Sequence, residues 1–233
     1  MYLKIRKEID HFTIDIEYEF KKGVLVIQGE SGSGKTTILN CIAGLKTPDE
    51  GRIILNDTVL FDSNLGIDID IRKRNLGYLF QNYALFPNMT VYENIIYGIK
   101  NKFEYKHNQS KEELLSYCDY IMKTFGINHL AKKHPANISG GEKQRVALSR
   151  AIVTKPKLLL LDEPFSALDE KTKGIVYEEF YLFKEKFNIP TILITHDKVE
   201  SDLFGDKRIA IKNGKIINNW NEGLDRKYSI LLE

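Results

Sequence analysis

The fold of this chain is decided by the stretch at residues 29–36, which reads Gly29-Glu30-Ser31-Gly32-Ser33-Gly34-Lys35-Thr36. Two glycines enclose four residues and are followed by Lys-Thr, which is the complete pattern of a phosphate-binding loop. The apolar run at residues 24–27 predicts a buried parallel strand before the loop, and residues 37–43 predict a helix that ends at Gly44. A strand, this loop and a helix in succession are the context that the pattern requires.

Such a loop binds phosphate through its backbone. Glycines let successive N–H groups turn inward, and the helix that follows adds the positive end of its dipole. We expect Lys35 to reach the β- and γ-phosphates and Thr36 to ligate Mg²⁺, and we assign nucleotide contacts to every residue from Gly29 through Thr37. The alternative is a Gly/Ser-rich connection without a ligand. The complete motif in its correct context favours binding of a nucleoside triphosphate.

The composition is that of a soluble globular protein. The 233 residues are 42% apolar and 28% charged, and the formal net charge of +2 is too near neutral to argue for nucleic acid or an anionic membrane as a partner. No window approaches 18 uncharged apolar residues, so any membrane spans would belong to another chain. Cys41 and Cys118 stand in apolar surroundings far apart, which favours buried free thiols and a reducing compartment.

The first part of the chain reads as strands. Residues 2–9 and 12–20 alternate apolar and polar positions, with Phe12, Ile14, Ile16, Tyr18 and Phe20 on one face. Residues 52–55 and 58–61 flank a two-residue turn, and residues 76–80 form a strand that ends at Gln81. Residues 62–75 are polar and end in Arg72-Lys73-Arg74, for which a solvated loop or a specific anion site are the two interpretations.

The rest of the chain alternates helices and buried strands. A helical pattern runs from about residue 90 to 154, with a polar break around 100–111. Buried strands follow at 158–161 and 191–194, with a helix over 170–187 between them. The last predicted element is a hairpin at 208–217. We therefore predict an α/β fold, namely a P-loop NTPase with a mostly parallel sheet, an N-terminal antiparallel β subdomain and an inserted α-helical subdomain. We take residues 1–233 as a single ATPase domain with the insertion at about 88–155.

Polar residues follow several predicted strands, namely Gly29, Gln81, Asp162 and His196, and ligands bind at the carboxyl ends of parallel strands. A carboxylate at the end of a buried strand needs a partner, so we assign Asp162 to Mg²⁺. Glu163 follows and is our candidate general base, with Pro164 biasing it to extended backbone. The alternative is that both acids cap a helix.

Two further sites have both a structural and a functional interpretation. Ser139 and Glu142 form the pattern of a helix capping box, while Gly140 and Gly141 beside them make a second phosphate-binding helix end. Two such ends about a hundred residues apart suggest that they serve different nucleotides. His196, flanked by Asp197, is either a structural histidine or a residue facing the γ-phosphate, and its place at a strand end favours the second.

Taken together, these residues resemble the nucleotide-binding subunit of ABC transporters over nearly the whole chain. The resemblance rests on the phosphate loop at 29–36, Gln81 as the Q-loop, residues 138–142 as the signature motif, 158–163 as Walker B, 166–169 as the D-loop and His196 as the switch histidine. Ile138 stands where Leu is commoner and Glu142 where Gln is commoner.

The resemblance implies a head-to-tail homodimer bridged by ATP. ATP held by Lys35 of one subunit would meet Ser139, Gly140 and Gly141 of the other, and hydrolysis through Glu163 would release the pair. It further implies that Gln81 senses the γ-phosphate and Mg²⁺, that His196 acts in catalysis, and that Asp169 couples the two sites. An aromatic residue between the first two strands usually stacks on adenine in this family, and Phe12 is the candidate, although its spacing also fits a core residue.

Within the family the chain resembles importer subunits, most of all those of molybdate uptake, through residues 51–56, 73–81 and 85–91. This implies a peripheral protein on the cytoplasmic face of the cell membrane, bound to permease subunits and served indirectly by a substrate-binding protein. Leu85, Phe86, Pro87 and Met89 form an apolar strip for a permease helix or a packed loop. The chain stops at Glu233, so we expect no C-terminal oxyanion-binding domain and no regulation through it.

The transported solute rests on this resemblance alone. Molybdate or tungstate is the first expectation, and sulfate, amino acid or polyamine importers are the alternatives, as is an exporter. A soluble ABC-type clamp on nucleic acid or the ribosome is a different class, which the absence of a coiled coil and of a basic face disfavours.

Overall fold

The computed structural model describes residues 1–103 and 111–220. Within them the chain forms eleven strands and six helices: β1 (Tyr2–Ile9), β2 (Phe12–Glu19), β3 (Val24–Gln28), α1 (Lys35–Ala43), β4 (Glu50–Leu55), β5 (Thr58–Asp62), β6 (Ile67–Asp68), β7 (Leu76–Leu79), α2 (Val91–Phe103), α3 (Lys111–Thr124), α4 (Gly140–Ile152), β8 (Leu158–Asp162), α5 (Glu170–Phe187), β9 (Thr191–Ile194), α6 (Lys198–Phe204), β10 (Lys207–Lys212) and β11 (Lys215–Trp220). They group into two compact units, which are residues 1–74 with 190–220, and residues 75–103 with 111–189. The prediction of a single ATPase domain stays a prediction.

The first unit begins with an antiparallel sheet in the strand order β2-β1-β4-β5-β6. The strands predicted at 2–9 and 12–20 are confirmed, with Ile5 opposite Ile16. Alternation places Ile14, Ile16 and Tyr18 on the buried face, whereas Phe12 at the start of β2 is only half-buried. The predicted turn at residues 56–57 joins β4 to β5.

The same unit holds four strands in the order β11-β10-β3-β9. β3 pairs in parallel with β9 and with β10, and only β11 is antiparallel. Residues 24–27 and 191–194 are all buried, as expected for parallel strands covered on both faces. α1 follows β3 and ends at Gly44, which has the left-handed backbone of a helix C-cap and confirms the predicted end.

Arg74 corrects one interpretation of the polar segment at 62–75. Its side chain is wholly buried rather than solvated, and its Nη1 donates to the carbonyls of Cys41 and Ile42 at the end of α1, at 2.9 and 2.8 Å. Its Nη2 donates to Asp68 Oδ1 at 2.7 Å. The last carbonyls of a helix lack helical partners, and this guanidinium satisfies two of them. Since these partners are acceptors within the chain, no anion site is supported at Arg74.

The second unit places α2, α3 and α4 between β7 and β8 in the chain. β7 and β8 pair in parallel, with Leu79 opposite Leu161. The helix predicted over 170–187 is confirmed as α5, and its inner face packs Tyr177 and Phe180 edge-on against Phe165. Most of the predicted polar break around 100–111 lies outside the described residues.

Both cysteines are buried free thiols, as predicted, and burial raises the pKa of Cys41 to about 11 and that of Cys118 to about 12. In residues 1–103 and 111–220, no helix is both long enough and apolar enough to cross a bilayer.

Gly44 allows a direct test of the Arg74 contact. Its φ is +84°, and a Cβ built there would lie 2.7 Å from Arg74 Nε. We expect Gly44→Ala to lower the free energy of unfolding by about 3 kcal/mol, since it adds left-handed strain and a clash with a buried side chain. The measurement is urea unfolding followed by circular dichroism.

Gly66→Ala is the matched control. Gly66 also has a positive φ, of +65°, but a Cβ there meets nothing within 4 Å. It should cost only about 1 kcal/mol, from backbone strain alone. Equal losses for the two variants would contradict a role for Arg74 packing.

Candidate functional site

The phosphate loop connects β3 to α1, and two of its glycines are required by geometry. Gly34 precedes the first turn of α1 with a left-handed backbone at a φ of 100°. Gly29 has a φ of +155°, and a Cβ there would lie 2.3 Å from the Ile211 carbonyl oxygen. A side chain at either position would be strained, so the loop can close only with glycine.

Lys35 is buried, and its side chain folds back over the loop. The ammonium donates to the Gly29 and Glu30 carbonyls, at 2.8 Å each. The positive charge is therefore held against the loop backbone, where a phosphate chain binds in proteins with this motif. Thr36 is exposed in the first turn of α1, directly after Lys35. The residues present fit ATP, and Thr36 fits Mg²⁺.

Phe12 lies beside the end of this loop. A Cβ built on Gly34 would come within 3.5 Å of Phe12 Cε2 and 3.0 Å of Ile14 Cδ1. The ring is half-buried, so it is neither a full core residue nor a free surface one. The structure brings Phe12 to the phosphate loop, and adenine stacking stays a prediction.

His196 follows β9 at the same edge as the loop. β9 pairs in parallel with β3 so that Ile194 is opposite Ile27. His196 and Gly29 are each two residues further on, and the His196 side chain is exposed. The register therefore brings this histidine to the same end of the strands as the phosphate loop.

The backbone on both sides of His196 is fixed by its neighbour Asp197 and by Thr195 and Glu200, the last two of which were not predicted from the sequence. Thr195 Oγ1 donates to the buried carboxylate of Glu200 and accepts from Asp197 N at 3.0 Å. Asp197 in turn caps α6, accepting from Val199 N at 2.7 Å. An acid followed three residues later by Glu200 is a helix-start signal that could have predicted α6.

In the second unit Gln81 and Glu163 come together. They lie two residues beyond the paired Leu79 and Leu161, and Gln81 Nε2 donates to Glu163 Oε2 at 3.2 Å. The sequence predicted both at strand ends but not this contact. It forms because parallel strands in register deliver their next residues to the same place.

The prediction of extended backbone at Glu163, before Pro164, is wrong. The φ of Glu163 is +45°, in the left-handed region, although the proline that follows disfavours helical backbone. Its carbonyl accepts from Ser166 Oγ at 2.9 Å, which closes a turn after β8. Left-handed backbone at a residue other than glycine costs about 1–2 kcal/mol, and such strain concentrates at functional sites.

Asp162 is the last residue of the fully buried strand β8, and 6% of the surface of Asp162 is exposed. The alternative interpretation was that Asp162 and Glu163 cap a helix. It has no support, because the residue that caps the N-terminus of α5 is Asp169. That residue accepts from Thr172 N at 3.0 Å and from Thr172 Oγ1 at 2.7 Å. Asp162 thus retains the burial and the strand-end position expected of a metal-side carboxylate.

The capping box at residue 139 is present. Glu142 N donates to Ser139 Oγ at 3.3 Å, and Ser139 N donates to Glu142 Oε2 at 2.7 Å. That backbone N–H is the main cause of a lowered pKa at Glu142. Ser139 and Gly140 are exposed at the start of α4, whose first N–H groups point outward. The cap and an exposed helix N-terminus therefore coexist in one segment, and phosphate binding there stays a prediction.

The parallel strand β3, the phosphate loop and the helix α1 follow one another in the chain, and this succession defines a P-loop nucleotide-binding protein. The ABC transporter family model matches residues 14–166, and the chain belongs to the ABC transporter family.

Among curated proteins, the chain is 38% identical to the molybdate/tungstate import ATP-binding protein of Archaeoglobus fulgidus, over 93% of this chain and 86% of that protein. It is 39% identical to the molybdenum import ATP-binding protein of Vibrio vulnificus and 40% identical to the molybdate/tungstate import ATP-binding protein of Pyrococcus abyssi. These matches cover 93% and 91% of this chain, which spans only 56% and 59% of those two proteins.

Solved structures of ATP-binding cassettes agree with this family assignment. A dimeric ATP-binding cassette in a post-hydrolysis state with ADP and phosphate superposes with a TM-score of 0.77 at 27% identity, covering 96% of this chain and 99% of that one. A subunit of an ABC transporter complex from Clostridium perfringens gives 0.79 at 27% identity, covering 94% and 87%. The predicted α/β P-loop fold with a mostly parallel sheet is confirmed, and the chain is an ATP-binding cassette ATPase.

The capping box predicts a dependence of stability on pH. The pKa of Glu142 is lowered from 4.5, so its stabilising charge is present above pH 4.5 and is lost as the pH falls through the folded-state pKa. Glu142→Gln should lower the free energy of unfolding by about 0.5 kcal/mol at neutral pH, because the charge at the helix N-terminus is lost. The difference should vanish in acid, as measured by urea unfolding at a series of pH values.

Glu178→Gln is the control, since Glu178 is an exposed acid in the middle of α5. It should change stability little at any pH. A Glu142→Gln difference that persists below the folded-state pKa would mean that charge is not the source of the effect.

Proposed function

We propose that this chain is the ATP-hydrolysing subunit of a membrane importer for molybdate, tungstate or a similar oxyanion. One observation carries the substrate class: the import proteins named above match at least 91% of the chain at 38–40% identity. No residue described here is assigned to the transported solute, so the proposal of the solute depends on these relatives. The chemistry of ATP depends on the chain's own residues.

In this proposal the loop from Gly29 to Thr37 wraps the phosphates, and Lys35 neutralises charge on the β- and γ-phosphates. Phe12 stacks on adenine from its position beside Gly34. The position of Phe12 next to the loop supports adenine stacking, since a half-buried ring leaves part of its surface accessible for stacking.

Bound Mg²⁺ would offset the charge that develops on the phosphates during transfer. Thr36, Gln81 and Asp162 are the oxygen-bearing residues assigned to hold it. Glu163 polarises the attacking water as general base, and its contact with Gln81 supports a linked role for the two. His196 contacts the γ-phosphate from a backbone position held by Thr195 and Asp197.

Two subunits would pack head to tail as a homodimer. The exposed residues Ser139 and Gly140, together with the buried Gly141, of one subunit meet the γ-phosphate bound by the other, with Asp169 coupling the two sites. The pair works on the cytoplasmic face of the membrane against permease subunits, and a substrate-binding protein supplies the solute indirectly. A dimeric cassette among the similar structures supports this assembly.

The decisive experiment is the solution mass of Glu163→Gln with and without ATP. The variant should bind ATP but not hydrolyse it, and so ATP should shift the mass from 26.9 kDa to twice that value. Analytical ultracentrifugation measures the shift.

Adding Lys35→Ala to that variant is the control, because loss of the ammonium should abolish ATP binding and the shift with it. A Glu163→Gln chain that binds ATP yet stays monomeric would contradict the ATP-bridged dimer. Unchanged ATP turnover would contradict the role of Glu163 as base.

The apolar strip of Leu85, Phe86, Pro87 and Met89 is our candidate surface for a short permease helix. Pro87 is exposed and the other three are half-buried, with the Phe86 ring 4.6 Å from that of Tyr97. We expect Phe86→Ala to leave ATPase activity in solution intact while solute uptake in the reconstituted transporter falls about tenfold, as for loss of a buried aromatic anchor.

Leu182→Ala is the matched control, since Leu182 is an apolar residue of α5 with 67% exposure outside this strip. It should change neither ATPase activity nor uptake. Full uptake by Phe86→Ala would place the docking surface elsewhere.

A further inference from the structure

The turn that precedes the apolar strip is strained. Tyr83 and Ala84 have φ values of 60° and 45°, so two consecutive residues other than glycine are left-handed. Each costs about 1–2 kcal/mol, and such backbone persists only where its surroundings hold it. The question is therefore what holds this turn.

Arg150, near the end of α4, donates to both strained residues. Its Nη1 lies 2.7 Å from the Ala84 carbonyl oxygen and its Nη2 lies 2.7 Å from that of Tyr83. The guanidinium carbon also lies 5.4 Å from the centre of the Phe86 ring. The planar fork of arginine presents its N–H groups to the two adjacent carbonyls in one fixed geometry, which the ammonium of lysine on its flexible stem does not reproduce.

Asn94 of α2 holds the strip from another side. It is fully buried, its Oδ1 accepts from Phe86 N at 2.8 Å, and its Nδ2 donates to the carbonyls of Phe86, Met89 and Thr90 at 3.1, 3.2 and 3.0 Å. The strip is thus a fixed surface, with one anchor on α2 and one on α4.

α4 connects the Arg150 anchor to Ser139 and Gly140, which are exposed at the start of the helix. Ser139 caps the start of the helix, and Arg150 lies within the same helix eleven residues further on. At 1.5 Å per residue the two are about 16 Å apart along one rigid element. A displacement of the helix start is therefore passed to Arg150 with little loss.

We propose that Arg150 is a positioning residue through which α4 transmits ATP-driven dimerisation to the apolar strip. This rests on the proposed function, because it requires Ser139 and Gly140 to meet the ATP of a second subunit. When that contact orders the start of α4, the arginine fork holds the 83–84 turn and with it Phe86. The permease would thereby receive the nucleotide state through two hydrogen bonds and one ring contact.

The test is amide hydrogen exchange, read by mass spectrometry, on the Glu163→Gln chain with and without ATP. ATP should slow exchange at residues 139–145 and also at residues 83–89. Adding Arg150→Lys should leave the first protection in place and make exchange at 83–89 in the ATP-bound dimer about tenfold faster, the factor expected for loss of one charge-assisted hydrogen bond.

Arg145→Lys is the matched control on the same helix. Arg145 pairs with Glu179 of α5 at 2.6 Å, so its guanidinium is engaged by α5. The same chemical change at this position should leave the ATP response of residues 83–89 unaltered. Arg150→Gln serves as a second variant, and ATP-dependent dimerisation establishes that either Arg150 variant is folded.

The outcomes separate the two proposals. If Glu163→Gln binds ATP without dimerising, the proposed function fails. If the Arg150 variants dimerise and residues 83–89 still slow to the same degree with ATP, the function stands and the role of Arg150 is overturned. Exchange that rises equally with and without ATP would also overturn it, because a purely structural contact gives that pattern.

Discussion

The constraint on which the rest of this structure depends is the complete burial of its parallel strands. Every residue of β8 and β9 is buried, and apart from Thr191 at the start of β9 their interior positions are all apolar. Other polar residues therefore collect at the carboxyl ends of these strands. Asp162 is the last residue of β8, Thr195 and His196 directly follow β9, and the glycines after β3 lie where the chain must turn without a side chain.

Helix ends carry much of the remaining polar chemistry. Ser139 with Glu142, Asp169 with Thr172 and Asp197 with Val199 each satisfy backbone N–H groups, while Arg74 satisfies carbonyls at the end of α1. The motifs of the ABC family largely coincide with these ends. A helix start that is capped on one side and exposed on the other stabilises the fold and still offers N–H groups to an anion, so Ser139 does not have to serve one purpose only.

Much of the candidate site could be predicted from local sequence. The phosphate loop, the strand-end acids and the capping box are short-range patterns, and their elements lie where the sequence places them. What could not be predicted depends on partners distant in the chain. Gln81 meets Glu163 across 82 positions, and Arg150 reaches Tyr83 across 67. Nothing near Arg74 in the sequence indicates that it enters the core, since the carbonyls it binds lie 32 and 33 residues earlier.

By itself the sequence determined the class of fold, the order of the strands and helices apart from β6 and α6, and the identity of the phosphate loop, because hydrophobic periodicity and glycine positions act within a few residues. Only the tertiary structure decided the left-handed backbone of Glu163, the burial of Arg74 and the hold of Arg150 on the 83–84 turn. In each case a local preference was overruled. A solvated arginine, an extended residue before proline and an unstrained turn are the preferred local states. Packing and hydrogen bonds in the folded chain supplied more free energy than those preferences cost.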